Sequence, residues 1–389
     1  MANLFESNWS TAKQALTSGL TGQRKDTMGV ILENAKREML KESATAGATQ
    51  AGNIASINKV MLPLIRRVMP SVIANEIMGV QPMTGPVGQI HTLRARYADT
   101  RAGIIAGTEA LSPFDLARAY SGNGNVNGAT AQAGTTSSLE GVAGPKVSVQ
   151  LVKETVEAKS RILSARWTFE AAQDANALHG IDIEAEIMAV LAQEITVEID
   201  QEMLSNLSVL AGAAADTYDQ TNVSGTATYV GDEHAALAIL MNKQANLVAA
   251  RTRRGPANWA VVSPTGLTVL QSATTSSFAR TTEGTFEAPT NTKMVGTLNN
   301  SMKVYVNQYA TNDDVLIGYK GQSETDAAAF FCPYIPLMSV GPIIDPTTLE
   351  MVTGFRTRYG YLELTNSANS LGNGADYLSK IALSNLSFY

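Results

Sequence analysis

From Ile183 onward, apolar residues return at every fourth position: Ile183, Ile187, Leu191, Ile195, Ile199, Met203 and Leu207, with Val190, Val197 and Leu204 widening the stripe. Side chains four apart stack on one helical face, so this spacing predicts one long helix from Ile181 to Leu210, about 45 Å at 1.5 Å per residue. Glu184, Glu186, Glu194, Glu198, Asp200 and Glu202 are expected to make its outer side acidic. A second amphipathic helix is predicted between Thr27 and Leu40, where Met28, Ile31, Leu32, Ala35 and Met39 share a face and Glu33, Lys36, Arg37 and Glu38 take the others. The tract from Ser43 to Thr49 is small, polar and without a period, and predicts coil. A third helix is expected from Asp232 to about Arg251.

Strand signals are distributed differently. Residues from Ile90 to Tyr97 and from Val147 to Trp167 have β-branched or alternating character. Between them, residues 120 to 144 form a Gly/Asn/Ser/Thr/Ala tract, so the pair reads as two extended arms joined by a polar tip with no core of its own. Loops of that length are uncommon in compact domains unless they are disordered or clasped by something else. Further strands are predicted at Trp259 to Val262, Met302 to Val306, Asp314 to Gly318, Ala327 to Val340 and Glu350 to Leu364. Helices and strands are thus mixed without strict alternation, which points to an α+β chain.

A length of 389 residues exceeds one usual compact domain and predicts two or more sub-domains. Charged residues are only 16% and aromatics 6%, a composition suited to surfaces that partners cover. Lysine and arginine number 29 against 35 acids, and the net charge of −6 argues against tight sequence-independent nucleic-acid binding. No apolar run is long enough to span a bilayer, and the first residues lack a basic start followed by an apolar block, so a soluble chain that is not exported is expected, with no membrane partner. The lone cysteine, Cys332, excludes an intramolecular disulfide and reads as a small buried hydrophobe in a reducing compartment.

Catalytic signatures are missing from the sequence. His91, His179 and His234 are far apart, and none has a second histidine or cysteine at ligand spacing, so no metal site is indicated. No phosphate-binding loop, dinucleotide fingerprint or nucleophile elbow occurs, so no cofactor and no catalytic residue is assigned. The carboxylates of the long helix have no histidine beside them and read as a solvated or partner-facing side. A dispersed Ser/His/Asp triad is recognised by geometry alone, which keeps a soluble hydrolase open as an alternative. The cluster Arg251-Thr252-Arg253-Arg254 reads either as a phosphate grip or as a loop end that pairs with acids on a neighbouring copy.

The run Val60-Met61-Leu62-Pro63-Leu64-Ile65-Arg66-Arg67, continuing through Gly79-Val80-Gln81-Pro82-Met83 to Tyr97, resembles the signature of the T-even-type tailed-phage major capsid protein family. The resemblance resumes at Val156-Glu157-Ala158-Lys159-Ser160-Arg161, Ala171-Ala172-Gln173-Asp174, His179-Gly180, Gly318-Tyr319-Lys320-Gly321 and Gly354-Phe355-Arg356-Thr357-Arg358-Tyr359-Gly360. It implies the shell fold often called the Hong Kong ninety-seven type. The implied divisions are an N-terminal segment 1–42, an N-arm 43–88, an extended loop 89–149, a peripheral domain 150–224 on the long spine helix, an axial domain 225–325, and a return to the peripheral domain over 326–389. The T-even relatives carry an added domain in the extended loop for which this sequence has no room, so no function of that insertion is carried over.

The resemblance further implies a non-enzymatic late protein of the virion. It would assemble in the host cytoplasm into hexamers and pentamers, which form an icosahedral head enclosing double-stranded DNA. Scaffold, prohead protease, portal and decoration proteins are the implied partners. An encapsulin-like compartment is the alternative with the same fold. Leu40-Lys41-Glu42 before Ser43 resembles the prohead protease site, which makes Glu42 and Ser43 the candidate cleavage point, although Ile31-Leu32-Glu33 fits the same short pattern. The family's loop-over-neighbour layout makes Arg94, Arg96, Arg101 and Arg118 candidate contacts to an adjacent subunit, with Glu194, Glu198 and Glu202 as candidate acceptors.

Overall fold

The period-four stripe builds the centre of the molecule. The computed structural model describes residues 9, 13, 14, 16–18, 20, 22–45, 72–100, 105–107, 110, 120, 121, 136–140, 143–179, 182–222, 230–252, 254–273, 278–280, 293–299, 301–322, 326–348, 350–363 and 374–386. Its longer helices are α1 (Gln23–Thr45), α2 (Phe169–His179), α3 (Ile183–Ala211), α4 (Val230–Thr252) and α5 (Pro264–Ser272). Its strands are β1 (Gly79–Val80), β2 (Val87–Tyr97), β3 (Val147–Glu157), β4 (Lys159–Trp167), β5 (Asp216–Asp219), β6 (Trp259–Val262), β7 (Phe278–Arg280), β8 (Lys293–Leu298), β9 (Met302–Val306), β10 (Asp314–Gly318), β11 (Ala329–Ile344), β12 (Met351–Glu363) and β13 (Leu378–Ser384). The architecture is α+β.

Spine helix α3 starts at Asp182, whose side chain accepts hydrogen bonds from the Glu184 and Ala185 amides and so satisfies donors at the helix end. Its buried side chains run from Leu191 to Leu207 and bridge two sheets. One is a four-stranded sheet of order β1-β11-β12-β4, which presents Phe331, Leu337, Phe355 and Tyr359 to the helix. The other is a seven-stranded sheet of order β5-β13-β10-β6-β9-β8-β7, which presents Trp259, Val261, Tyr305, Leu316 and Leu378. On the opposite face of the larger sheet, Ala260, Val262, Val304, Val315, Ile317 and Ile381 pack under α4 and α5. Strands covered on both faces read as continuous apolar runs, which is why Trp259–Val262 is buried at all four positions.

The chain crosses between the sheets more often than the sequence suggests. β13 lies in the stretch expected to return to the domain of the spine, yet it inserts between β10 and β5 of the seven-stranded sheet. β5 itself, from the stretch 150–224, is an edge of that same sheet. Within the sheet, Leu378 and Ile381 of β13 are buried on opposite helix-covered faces.

Helix α1 covers the outer face of β11. Met28 and Leu32 pack there with Trp9 against Phe330, Cys332, Tyr334, Ile335 and Met338. Proline residues and register shifts along β11 interrupt its ladder with β12. The buried Asn34 amide donates to the Tyr334 carbonyl (3.0 Å) and to the Met83 carbonyl (2.8 Å). The Cys332 thiol, buried here, is pushed up to about 12 by desolvation and stays protonated, as the reading of a structural cysteine requires.

Candidate assembly surfaces

The predicted pair of extended arms is an antiparallel ribbon of β2 and β3, in register from Val87 opposite Glu157 to Tyr97 opposite Val147. Neither strand pairs with another sheet. Ala158 alone separates β3 from β4, so one continuous extended stretch leads from the ribbon into the four-stranded sheet. The Ala158 amide donates to the Pro86 carbonyl (2.9 Å) and closes the ribbon's root. At that root Val156 lies against Gly360 of β12, where a Cβ would come within 2.5 Å of Val156 Cγ2 and 3.1 Å of the Glu157 carbonyl oxygen. Only glycine permits this crossing.

The far end has a small core that no local sequence pattern predicts. Tyr97 and Tyr120 pack with ring centroids 4.4 Å apart and planes tilted by 52°, beside Ala110, and all three are buried. The Tyr120 hydroxyl donates to the Lys146 carbonyl (2.6 Å), and the Lys146 amide donates to Asp99 (2.8 Å). A tyrosine read as part of a polar tip thus closes the ribbon, because a phenol can bury its ring and still hydrogen-bond. Most of the tract from 120 to 144 lies outside the described residues.

Along the shaft, alternation gives two unlike faces. One carries Val147, Val149 and Leu151 from β3, with Lys153 nearer the root, and Val149 and Leu151 are 65% and 66% exposed. The other carries Gly88, Ile90, Val156 and the half-buried Arg96, which stands opposite Ser148. Arg94 stands opposite Gln150 in the same ladder. Arg101 and Arg118 lie outside the described residues.

Of the candidate acceptors on α3, Glu194 is exposed, whereas Glu198 and Glu202 are held within the chain. Arg161 of β4 reaches Glu198 through Nη1 (2.5 Å) and Glu202 through Nη2 (2.5 Å), and its Nε donates to the Tyr359 hydroxyl (2.5 Å). Tyr359 in turn donates to Glu202. Burial works against the charge on Glu202, but the hydrogen bonds from Tyr359 and Arg161 outweigh it and hold the carboxyl below its usual range. Burial likewise opposes the Arg161 charge, and the same partners more than compensate. The cluster pins β4, the continuation of the ribbon, to the spine helix and to β12. Arg161 stood in a family-like block, but nothing local in the sequence signals that it would claim two spine carboxylates.

The sequence places Asp200 among the outer acids, and the structure reverses that: it is buried, with Oδ1 accepting from the Ile73 amide (2.8 Å) and Oδ2 lacking a partner. Its spacing gave the signal, since Thr196, Asp200, Met203 and Leu207 advance by four, three and four residues and share a face. Desolvation pushes its pKa up to about 7, against a smaller opposing effect from the Ile73 hydrogen bond.

At the N-terminal side, α1 runs to Thr45, past the predicted end at Leu40, because no glycine or proline lies between Leu40 and Gly47. Glu42 and Ser43 therefore sit in the last helical turn and not in the coil expected there. Terminal turns leave carbonyls unpaired and fray readily, which is how a protease would gain extended chain at this point. Arg254, from the arginine cluster, pairs with Asp326 of its own chain (2.9 Å). Among the described residues no group of three His, Cys, Asp or Glu is placed to hold a metal ion.

Comparison with known proteins agrees with the resemblance read from the motifs. The family model for the major capsid protein Gp23 matches residues 54–143 and 123–385. The major capsid protein of Vibrio phage KVP40 is 31% identical over 85% of this chain and 81% of its own. That of Enterobacteria phage T4 is 29% identical over 81% of this chain and 76% of its own. Among solved structures, a chain from Microbacterium phage Oxtober96 is similar at a TM-score of 0.44 and 13% identity, covering 88% of this chain and 98% of that one. A chain from the capsid of Myoviridae phage XM1 gives 0.42 and 9% identity, covering 86% and 99%.

Proposed function

The chain belongs to the major capsid protein Gp23 family, and on that premise we propose that copies of it join into hexamers and pentamers that close an icosahedral head around double-stranded phage DNA. It is a structural protein of the phage capsid. The observation that carries the reading is the family match, which spans the ribbon, the spine helix and both sheets. The ribbon supports it physically: a two-stranded hairpin is marginal alone in water, and this one leaves its apolar face open. Encapsulin-like storage is not favoured, since the relatives are phage capsid proteins.

Assembly would take place in the host cytoplasm, with scaffold, prohead protease, portal and decoration proteins as partners. Arg94, Arg96, Arg101 and Arg118 would meet a neighbouring subunit, with Glu194 as an acceptor; Glu198 and Glu202 already serve Arg161. Each subunit meets several neighbours, so modest contacts add up through multivalency. Residues 1–42 would leave by cleavage between Glu42 and Ser43. That step would uncover Phe330, Cys332 and Tyr334 and deprive two carbonyls of Asn34.

One preparation tests these points together. The protein, expressed alone and with a phage scaffold, is examined by electron microscopy, and chains from mature heads are sized by mass spectrometry. Rings and closed shells are expected, with mature chains beginning at Ser43. A small soluble oligomer under both conditions would overturn the shell reading, and mature heads retaining Met1 would overturn the cleavage.

A further inference from the structure

We propose that a polar cavity at one end of the larger sheet, where α1 meets the turn Ala74–Ile77, is a binding site for a phosphate-type dianion. In that sheet β6 runs parallel to β9 and antiparallel to β10, so the starts of β6 and β9 lie beside the end of β10. The cavity there holds about 390 Å³, and its lining includes Arg24, Glu76, Trp259, Lys303 and Lys320. The block Gly318-Tyr319-Lys320-Gly321, which the sequence singles out, supplies one wall. The Trp259 ring lies over Gly318 and leaves no room for a Cβ, and Lys320 and Gly321 border the cavity itself.

The lining is opposite in sign to the chain. Three cations and one carboxylate border the cavity, a surplus of two positive charges in a protein of net charge −6. Glu76 pairs with Arg24, and its Oε2 lies 3.5 Å from the Lys303 Nζ and accepts from the Tyr305 hydroxyl (3.4 Å). The Lys320 ammonium donates to the Asn75 carbonyl (2.9 Å), which holds it at the cavity. A guanidinium has five donors and an ammonium three, so pairing with Glu76 leaves Arg24 and Lys303 with donors for a further oxyanion.

An independent observation points to a missing acceptor. Trp259 is only 2% exposed, and its Nε1 has no hydrogen-bond partner among the described residues. An indole N–H can only donate, and a buried donor without a partner is costly and calls for a bound water or ion. An oxyanion in the cavity supplies that acceptor together with the countercharge. A phosphate monoester carries about two negative charges near neutral pH and matches the surplus, whereas a phosphodiester carries one. Bound there, the dianion ties α1 and the turn Ala74–Ile77 to the sheet. Arg24 lies within residues 1–42, so the site would lose a cation on cleavage; that consequence rests on the cleavage reading, and the site itself does not.

Calorimetric titration of the full-length chain with inorganic phosphate, at neutral pH and constant ionic strength, tests the site. Saturable binding is expected, with a shift of the Trp259 indole N–H resonance, one of three such signals in the chain. Lys303→Gln and Arg24→Gln should each weaken binding by roughly fivefold or more, since each removes a charged donor. Glu76→Gln removes the competing carboxylate and should tighten binding by roughly fivefold, whereas a purely structural role for Glu76 would give the opposite sign. Lys243→Gln, on α4 and paired with Asp216 outside the cavity, is the control and should change nothing. A short DNA oligonucleotide without a terminal phosphate should not displace the ion; displacement would make this a phosphodiester contact and overturn the dianion. Absence of saturable binding, or binding indifferent to both Lys303→Gln and Glu76→Gln, would overturn the site and leave the shell reading standing.

Discussion

The seven-stranded sheet and the two-stranded ribbon draw on similar strand sequences and end in opposite environments. β6 reads Trp-Ala-Val-Val and is buried throughout, while β3 alternates Val147, Val149 and Leu151 with polar residues and exposes all three. The difference lies in what covers each one: α3 on one face of the large sheet, α4 and α5 on the other, and, among the described residues, nothing that buries Val147, Val149 or Leu151. The same apolar residues therefore do two jobs. In the sheets they hold one subunit together, and on the ribbon Val147, Val149 and Leu151 stay exposed.

The sharpest way to break this comparison is on the buried side. Leu207→Ala should cost the dissociated subunit about 3 kcal/mol, within the 2–5 kcal/mol typical of a fully buried leucine, because the void opens where α3 meets the sheets. Urea unfolding of the isolated subunit measures it. A loss below about 1 kcal/mol would mean that the spine is not the shared core of both sheets.

How far the sequence reveals this division depends on the range of the interaction. The stripe of α3 was legible because period and burial coincide from Leu191 to Leu207. It overran the core at its start: Ile183 and Ile187 are only half-buried and Val190 is exposed, since periodicity reports a face and not what lies on it. Met302–Val306 and Asp314–Gly318 match their predicted bounds, each being a short apolar run closed by turn residues. The sheet positions of β5 and β13 depend on pairing with β10 and its neighbours, far away in sequence, and no local pattern encodes them. Helix α5 was missed although Ser263 and Pro264 mark its start, where the Ser263 hydroxyl caps the Gly266 amide. In the assembly surfaces, the alternation on β3 was readable, whereas the capture of Glu198 and Glu202 by Arg161 was not.

Asp200 sharpens the comparison from inside the dense region, where an ionisable group has been buried. Its folded pKa of about 7 stands above the ordinary aspartate value, so between roughly pH 4 and 7 the folded chain holds a proton that the unfolded chain has lost. The contribution of this group to stability therefore falls as pH rises through that window and is level above it. Asp200→Asn removes the titration. The variant should gain on the wild type with rising pH, by at most about 1.4 kcal/mol per pH unit, and then run parallel above pH 7. Thermal unfolding of both proteins from pH 4.5 to 8 checks this, and a constant offset across the range would show that Asp200 keeps its charge when folded.

The smallest expected effect on the subunit is the most telling one. Leu151→Ala removes an exposed side chain, and surface substitutions away from special features stay within about 0.5 kcal/mol, so the isolated subunit should unfold at an almost unchanged urea concentration. If Leu151 is covered on assembly, each contact loses roughly 1.5–3 kcal/mol of apolar burial, about tenfold or more in affinity, and every contact around a closed ring loses the same amount. The protein concentration needed for ring formation should then rise at least tenfold while folding is untouched. A subunit destabilised by 2 kcal/mol would place the cover for Leu151 within its own chain. Unchanged folding with unchanged assembly would leave that face in solvent within the finished shell, and the ribbon would have to bind by its arginine-bearing side instead.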